Sequence, residues 1–325
     1  MKKRVLSGIR ATGRLHLGNY LGAVKGMIKL QNDPLYECFY MVADAHTITT
    51  PFNPNELKQN RIEIIVDYLA AGLDPQKVTL FFQSQVPQHF ELAYYFSSVV
   101  SIARMQHLPT YKEKVKQYPN ANTMALLNYP VLMASDILLY KADFVPVGID
   151  QEPHLEVARE IARKMNQIYK TSFPEPQRFA TQGEYIPSLK GEGKMSKSVE
   201  GSYINLTDSL DEIRKKIRSI PTSTDVGGPI IGGIKTLFIL SEIFLPKDLY
   251  QEFKNKYRDK TLKYVELKDA LAQAIYDELK PFQEKRSQIA SDLAYIEKVI
   301  SNGAYKASEV ANITLKEVKE KMGLF

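Results

Sequence analysis

The first half of the chain alternates two hydrophobic patterns. Short apolar runs typical of buried strands occur at Arg4–Gly8, Glu37–Asp44 and Val78–Ser84. Between the last two runs, apolar residues recur at helical spacing from Asn55 to about Gly72. Strands that alternate with helices predict an α/β protein with a parallel sheet covered by helices on both faces.

The alternation resumes after a polar interruption at residues 104–128, which we interpret as an insertion. The pattern then predicts a helix at Tyr129–Ala142, a strand at Asp143–Gly148 and a helix from Asp150 to about Tyr169. The first of these helices places Asp136 on an apolar face. A buried carboxylate is costly unless it is paired, so this residue needs a partner or a ligand.

From residue 200 onward the pattern is helical only. Three apolar stripes at helical spacing predict three helices: Leu210, Ile213, Ile217 and Ile220 after a cap at Thr207 or Asp208; Leu267, Leu271, Ile275 and Leu279; and Ile289, Leu293, Ile296 and Ile300. We therefore predict a Rossmann-like, doubly wound domain at residues 1–199 and an all-helical domain at residues 200–325.

Composition narrows the class of protein. With 325 residues and 44% hydrophobic content the chain can form a real core. The single cysteine, Cys38, excludes an internal disulfide framework and an all-cysteine metal site. No segment resembles a signal peptide or a membrane span, so we expect a cytoplasmic protein. The net charge of +6 permits a polyanionic partner without establishing one.

The stretch "GEGKMSKSVEG" holds Lys194 and Lys197 in a loop with Gly191, Gly193 and Gly201. Glycine loses more conformational freedom on ordering than other residues, so such a loop is costly to fix. A mobile pair of cations suits a strongly negative ligand. The alternative is a solvated surface turn.

Two strand-to-helix junctions carry further polar residues. In "ATGRLHLGN", His16 would face a phosphate at the helix N-terminus, and Gly18 would allow close approach of a base. In "VGIDQ", Gly148 suits close backbone approach, Asp150 could accept hydrogen bonds from a ribose, and Gln151 both donates and accepts. A structural histidine and an ordinary capped turn are the alternatives.

Together the three motifs resemble those of class I aminoacyl-tRNA synthetases. The KMSKS match is complete, whereas "HLGN" departs from the commoner His-Ile-Gly-His at two positions. The role often given to the second histidine must then fall to Asn19 or be dispensed with. The resemblance narrows to bacterial-type tryptophanyl-tRNA synthetases. It extends along the chain through "SGIRATGRLHLGNYLGA", with Ala11 in place of the usual proline, "DAHTIT", "VGIDQEPHLEVAREIARKMN" and "GAYKASEVANITLKEVKEKMGL".

This resemblance implies that L-tryptophan is activated by ATP to tryptophanyl-adenylate and pyrophosphate, then transferred to the 3′-terminal adenosine of tRNA(Trp). Asp136 would recognise the indole N–H, which is a donor only. Met133 would pack on the ring, His46 would line the pocket, and Tyr129 and Gln151 would hold the amino-acid head group. An ion pair between Asp136 and a neighbouring lysine is the structural alternative.

The resemblance also implies the nucleotide-binding residues. The ATP-lining positions of the family are Arg10, Ala11, Thr12, Gly18, Asn19, Gly148, Ile149, Asp150, Ile186, Lys194, Met195, Ser196, Lys197 and Ser198. The catalytic residues would be His16, Lys114, Lys194 and Lys197. The lysines would follow the pyrophosphate with Mg²⁺ as a further cation, and we predict no metal site made by the protein alone.

The implied partners are tRNA(Trp), whose anticodon the helical domain at residues 200–325 would bind, and a second copy of the chain bound near the insertion. Neither DNA nor a membrane is expected as a partner. A tyrosyl-tRNA synthetase shares the fold and the chemistry, but its phenol substrate needs more than one polar partner. A non-catalytic RNA-binding relative and a metabolite nucleotidyltransferase are the remaining alternatives.

Overall fold

A parallel sheet forms the centre of the protein in the computed structural model, which describes residues 2–180, 185–197, 199–223 and 226–325. Its strands are β1 (Lys3–Arg10), β2 (Tyr36–Ala43), β3 (Thr79–Phe82), β4 (Phe144–Val145) and β5 (Gln177–Arg178). The strand order is β3-β2-β1-β4-β5, and all neighbours are parallel. The predicted α/β class is confirmed. The order reverses between β1 and β4, where open sheets of this kind form a ligand crevice.

Helices connect the strands. They are α1 (Leu17–Asn19), which continues through a π-helix at Tyr20–Val24 into α2 (Lys25–Gln31), α3 (Pro54–Ala71), α4 (Gln88–Ser97), α5 (Ile102–Gln106), α6 (Pro109–Gln117), α7 (Met124–Leu139) and α8 (Glu152–Tyr169). Helix α3 begins one residue before the predicted start at Asn55 and ends at the predicted Gly72. Asn53 caps its start, and Gly72 ends it with a left-handed φ of 110°.

The polar insertion is more helical than its composition suggests. Residues 104–128 include the end of α5, all of α6 and the start of α7. Helix α7 is capped by Thr123 and begins at Met124, five residues before the predicted start at Tyr129. In α6 only Tyr111 is buried, so the helix has no apolar stripe that a periodicity search would find. The sequence pattern after β3 also predicts a helix around His89–Ser101; the helix observed there, α4, ends at Ser97.

The chain after residue 200 is mainly helical in its described parts, as predicted. Its helices are α9 (Leu210–Arg218), α10 (Gly232–Phe244), α11 (Lys247–Arg258), α12 (Tyr264–Ala290) and α13 (Leu293–Met322). The predicted helix from Ile289 to Ile300 is wrong, because Ile289 belongs to a helix that ends at Ala290 and the next helix begins at Leu293. The predicted cap of α9 is wrong. Ser209 makes a capping box with Glu212, while Asp208 accepts hydrogen bonds from Asn205 and Lys216. None of the described helices is long and apolar enough to cross a membrane.

The chain forms two compact units, one of residues 1–14, 26–181 and 289–325, the other of residues 15–25 and 182–288. Helix α13 belongs to the first unit because it packs directly on β3. A Cβ on Gly303 would lie 1.6 Å from the carbonyl oxygen of Leu80, so only glycine allows this approach. The units do not follow the division at residue 200, and the catalytic and anticodon-binding roles assigned to residues 1–199 and 200–325 stay predictions.

Candidate active site

The first unit contains a cavity of about 310 Å³ at the carboxyl ends of β1, β2 and β4. Side chains from α6, α7 and the loop before α8 complete its walls, and most of the lining is apolar. The structure brings all five predicted tryptophan-binding residues to this cavity: His46, Tyr129, Met133, Asp136 and Gln151. An apolar cavity with a few convergent polar groups is typical of a small-molecule site.

Asp136 is fully buried and holds the polar end of the cavity. Its Oδ2 accepts a hydrogen bond from His46 Nε2 at 2.8 Å, and its Oδ1 accepts from His89 Nδ1 at 2.6 Å and Gln83 Nε2 at 2.8 Å. Burial alone would raise the pKa of the carboxyl, but the hydrogen bonds from His46 and His89 outweigh it and lower the pKa. Asp136 is therefore an ionised acceptor. Its partners are two histidines and a glutamine, not the neighbouring lysine of the structural alternative.

His89 links Asp136 to a second buried group. Its Nε2 lies 2.8 Å from the hydroxyl of Tyr140, and burial raises the pKa of that hydroxyl well above its usual range. With Nδ1 donating to the carboxylate, Nε2 is the ring nitrogen that can accept from the Tyr140 hydroxyl. Ser135 adds a hydrogen bond to the backbone oxygen of His89 at 2.6 Å. These contacts hold His89 in place, and His89 in turn fixes the orientation of Asp136.

The other polar group of the cavity surrounds His154, which is buried in the first turn of α8. Its Nε2 lies 2.7 Å from the hydroxyl of Tyr129 and 2.8 Å from that of Thr110, and its Nδ1 lies 3.1 Å from Oε1 of Gln151. Burial, followed by the charge of His46, lowers the pKa of His154 to about 4. The ring is therefore neutral at pH 7.

Two cations line the same cavity. Arg10 donates from Nη2 to Thr50 Oγ1 at 3.0 Å, but its buried Nε finds no acceptor in the part of the chain that the structure describes. Lys114 donates to Gln117 at 2.7 Å. Burial lowers the pKa of both groups, and the charge of Arg10 lowers that of Lys114 further. An anion bound here would relieve both penalties.

The other ATP positions predicted in the first unit lie beside these groups along the chain. Ala11 is buried and donates from its backbone N–H to Thr47 Oγ1 at 3.1 Å. Gly148 precedes a 3₁₀ turn at Ile149–Gln151, in which the Ile149 side chain is 63% exposed. Thr12 follows Ala11 and donates from its N–H to the Arg10 carbonyl at 2.8 Å, and Asp150 accepts from Gln151 Nε2 at 2.8 Å.

In the second unit, His16 begins α1 as one half of a capping box. Its Nδ1 accepts from the Asn19 N–H at 3.3 Å, and Asn19 Oδ1 accepts from the His16 N–H at 3.3 Å. A Cβ on Gly18 would approach the His16 ring to 2.9 Å. Burial, followed by the positive charges of Lys197 and Lys194, lowers the pKa of His16 to about 4. The histidine is therefore neutral and faces the two cations.

The KMSKS segment is held by backbone contacts in the second unit. Met195 is buried and donates from its N–H to the Ile186 carbonyl at 2.8 Å. The buried hydroxyl of Ser202 bonds both the N–H and the carbonyl of Ser196. Ser198 lies outside the described residues. These contacts fix a defined loop conformation, so the predicted mobility of the loop stays a prediction.

The glycines of this loop serve conformation as well as freedom. Gly191, Gly193 and Gly201 all have positive φ, between 72° and 87°. At Gly191 there is a second constraint, because a Cβ would lie 2.6 Å from the backbone nitrogen of Gly233. These glycines are therefore required by the loop conformation itself, and not only by its predicted mobility.

Comparison with known proteins identifies the family. The sequence profile of the family described as "tRNA synthetases class I (W and Y)" matches residues 1–307. The chain belongs to this family. A tryptophan–tRNA ligase of Chlamydia caviae is 38% identical to this synthetase over 338 residues, covering 99% of this chain and 96% of that protein.

Two solved structures resemble this synthetase along its whole length. Tryptophanyl-tRNA synthetase from Mycoplasma pneumoniae is 34% identical, with a TM-score of 0.87 and coverage of 100% of this chain and 99% of that one. The enzyme from Campylobacter jejuni complexed with ADP and tryptophan is 30% identical, with a TM-score of 0.86 and coverage of 98% and 99%. The predicted family and fold are confirmed.

Sequence reasoning missed four residues of this synthetase's cavity network: Gln83, His89, Tyr140 and His154. Gln83 and His89 come from elements distant in sequence from Asp136, and no spacing connects them to it. For His154 a signal was present, since it lies three residues after Gln151 at the start of an amphipathic helix.

Proposed function

We propose that this chain activates L-tryptophan with ATP, forming tryptophanyl-adenylate and pyrophosphate, and then transfers tryptophan to the 3′-terminal adenosine of tRNA(Trp). The observation that carries the proposal is the ionised, buried Asp136 in an otherwise apolar cavity. An indole offers one N–H donor and no acceptor. A carboxylate with remaining lone-pair capacity satisfies that donor, while the apolar walls and Met133 contact the ring.

The head group of the amino acid fits the opposite polar group. The ammonium has three donors, and Tyr129 and Gln151 offer oxygen acceptors at the cavity wall. The carboxylate carries the negative charge that Arg10 and Lys114 favour, and the buried Nε of Arg10 gains an acceptor from it. The carboxylate is also the nucleophile, so these contacts would orient it for attack on the α-phosphorus of ATP.

Activation displaces pyrophosphate, and charge develops on it during the reaction. Fixed cations stabilise such charge more effectively than water does. We assign this role to Lys194 and Lys197, whose charges act on His16 in the second unit. A neutral His16 adds no charge of its own at this position and keeps its ring nitrogens for hydrogen bonding.

ATP and Mg²⁺ belong to the same proposal. The Campylobacter jejuni enzyme was crystallised with ADP and tryptophan, which supports a nucleotide site in this chain. Among the described residues, no three His, Cys, Asp or Glu side chains are grouped to hold a metal ion. Mg²⁺ commonly binds through substrate phosphates and few protein ligands, so we expect it to arrive with ATP.

A homodimer is also proposed. Three large apolar side chains on α4, α5 and α7 are exposed: Tyr94 at 77%, Ile102 at 64% and Met124 at 72%. They line one groove in the first unit. An exposed apolar patch of this kind is typical of an interface, and it adjoins the insertion at residues 104–128, where we expect the second copy to bind. The anticodon-reading role of residues 200–325 and the cytoplasmic location stay predictions.

The experiment that tests the proposal is ATP–pyrophosphate exchange with each of the twenty amino acids separately, in excess ATP and Mg²⁺. We expect exchange with tryptophan alone, and charging of tRNA(Trp) when it is added. Exchange with tyrosine would keep the reaction and overturn the substrate. No exchange with any amino acid would favour a non-catalytic relative.

A further inference from the structure

His154 contacts both residues that we assign to the amino-acid ammonium, Tyr129 and Gln151. Because His154 is buried, it does not itself bind the head group of the ligand. It is 1% exposed. Its two ring nitrogens are both occupied, Nε2 by the hydroxyls of Tyr129 and Thr110 and Nδ1 by Gln151 Oε1. The arrangement raises the question of which atoms donate.

The direction of the hydrogen bonds follows from Asp150. Its carboxylate can only accept, so Gln151 presents its Nε2 to Asp150 at 2.8 Å and its Oε1 to His154. The ring nitrogen facing that oxygen must carry the proton, which assigns the N–H of His154 to Nδ1. Because burial keeps the ring neutral at pH 7, Nε2 has a lone pair and accepts.

The lone pair on Nε2 sets the role of Tyr129. The hydroxyl of Tyr129, at 2.7 Å the nearer of the two, donates its proton to Nε2. Thr110 also forms a hydrogen bond with the Tyr129 side chain, so one lone pair of the Tyr129 oxygen is left as an acceptor. Gln151 can likewise accept a hydrogen bond, since its Oε1 keeps a second lone pair. The Tyr129 hydroxyl and the Gln151 amide could each donate or accept. Their contacts with His154 and Asp150 leave both as acceptors toward the ligand.

We infer that His154 is a positioning residue that fixes Tyr129 and Gln151 as hydrogen-bond acceptors for the α-ammonium group of the substrate. The inference rests on the proposed function and names the part of the substrate that His154 controls. The indole N–H, which we assign to Asp136, is bound by different residues from the ammonium group. Loss of His154 should therefore weaken recognition of the ammonium group selectively.

The test compares ligands that differ only in the head group. Tryptamine keeps the ammonium and lacks the carboxylate, and indole-3-propionate keeps the carboxylate and lacks the ammonium. Inhibition constants of both are measured in tryptophan-dependent ATP–pyrophosphate exchange, together with KM for tryptophan and kcat. In His154→Asn the amide reaches as far as Nδ1 only, so the contact with Tyr129 is lost while the donor to Gln151 remains.

For His154→Asn we expect KM for tryptophan and Ki for tryptamine to rise about 10-fold, the effect of one hydrogen bond to a charged group. Ki for indole-3-propionate should change by less than about twofold on the same reasoning. His154→Gln reaches as far as Nε2 and should restore part of the loss. Tyr129→Phe, which leaves His154 in place, should show the same selectivity and provides the test if the histidine variants do not fold.

Equal weakening of all three ligands in His154→Asn or in Tyr129→Phe would overturn the inference, because it would indicate a collapsed cavity. A selective loss in Thr110→Val as large as that in His154→Asn would also overturn it, since the lone pair on Nε2 would then serve Thr110. The proposed function is judged separately on the unsubstituted protein. Absence of exchange with tryptophan there would overturn both.

Discussion

Asp136→Asn tests the assignment of the indole N–H with almost no change of shape. The substitution replaces one carboxylate oxygen by an NH₂ group, so the site loses its charge and gains a donor. Whichever way the amide turns, its NH₂ group faces a former donor, either His46 or the pair His89 and Gln83. The remaining oxygen can accept from only part of the network.

The size of the effect follows from these contacts. A hydrogen bond to a charged group contributes about 1.5–3 kcal/mol. With about 1.4 kcal/mol for each factor of ten, kcat/KM for tryptophan should fall about 10- to 150-fold. The opposed donors left in the buried network should also lower the free energy of unfolding by about 1–3 kcal/mol.

The assay is ATP–pyrophosphate exchange with tryptophan and with β-(1-benzothiophen-3-yl)alanine, in which sulfur replaces the indole N–H. The unsubstituted enzyme should prefer tryptophan strongly, because the analogue leaves the buried carboxylate without its donor. In Asp136→Asn the preference should collapse, since kcat/KM falls for tryptophan and changes by less than about threefold for the analogue.

A matched control is Asp74→Asn, whose carboxylate accepts from the Gln76 backbone N–H in the turn before β3, at the opposite end of that strand from the cavity. It should leave both substrates unaffected. An equal loss for tryptophan and for the sulfur analogue in Asp136→Asn would refute the reasoning. Asp136 would then shape the cavity through its histidines without contacting the indole.

Three further predictions concern the loop, the buried histidines and the cations. Gly191→Ala should destabilise the protein by more than the roughly 1–2 kcal/mol expected of Gly193→Ala, because both have positive φ but only Gly191 meets backbone at 2.6 Å; equal losses in denaturant unfolding would contradict this. Because the pKa values of His16 and His154 lie at about 4, below 6.5, the unfolded chain takes up protons first as pH falls. The free energy of unfolding should therefore be greatest above pH 6.5 and drop by about 2 kcal/mol per histidine by pH 5. A free energy of unfolding that does not change between these pH values would contradict the lowered pKa values. Lys197→Ala should lower kcat of exchange about 100-fold with little change in KM for tryptophan, and a change in KM alone would remove the lysine from the transition state.

Strands β2 and β3 were predictable because they are mostly buried, whereas β5, whose two residues are exposed and half-buried, has no such signal and was not predicted. In β2 the last six residues are all buried, and the sequence shows them as one continuous apolar run. Helix α3 was predictable from its apolar spacing and from Gly72 at its end, a signal that acts locally and has the same meaning in any fold. Local signals of this kind need no knowledge of the tertiary structure.

The position of α13 could not be predicted in the same way. Its apolar stripe indicates a helix but not the surface on which the helix packs. The decisive residue is Gly303, which touches the backbone of Leu80 more than two hundred residues earlier in the chain. A single glycine in a helical pattern carries no record of its partner, so the helix was grouped with its neighbours in sequence.

The candidate site divides along the same line. His46, Tyr129, Met133, Asp136 and Gln151 were found from motifs, and the structure places all of them around one cavity. The residues that determine how these groups are protonated and oriented, His89 and His154, were not found. Their effect depends on distances of 2.6–3.1 Å between side chains from different elements or from different turns.

The hydrogen-bond directions in the cavity explain why tyrosine should be a poor substrate for the proposed enzyme. Both histidine N–H groups that face Asp136 are already donated to it. An indole has one donor and no acceptor, so the carboxylate satisfies all of its hydrogen-bonding capacity. A phenol also brings a donor, but its oxygen would be desolvated beside groups that are already committed, at a cost of about 1–3 kcal/mol. Phenylalanine brings no donor and leaves the buried carboxylate without its last partner. The same arrangement of acceptors thus favours the one aromatic side chain that only donates.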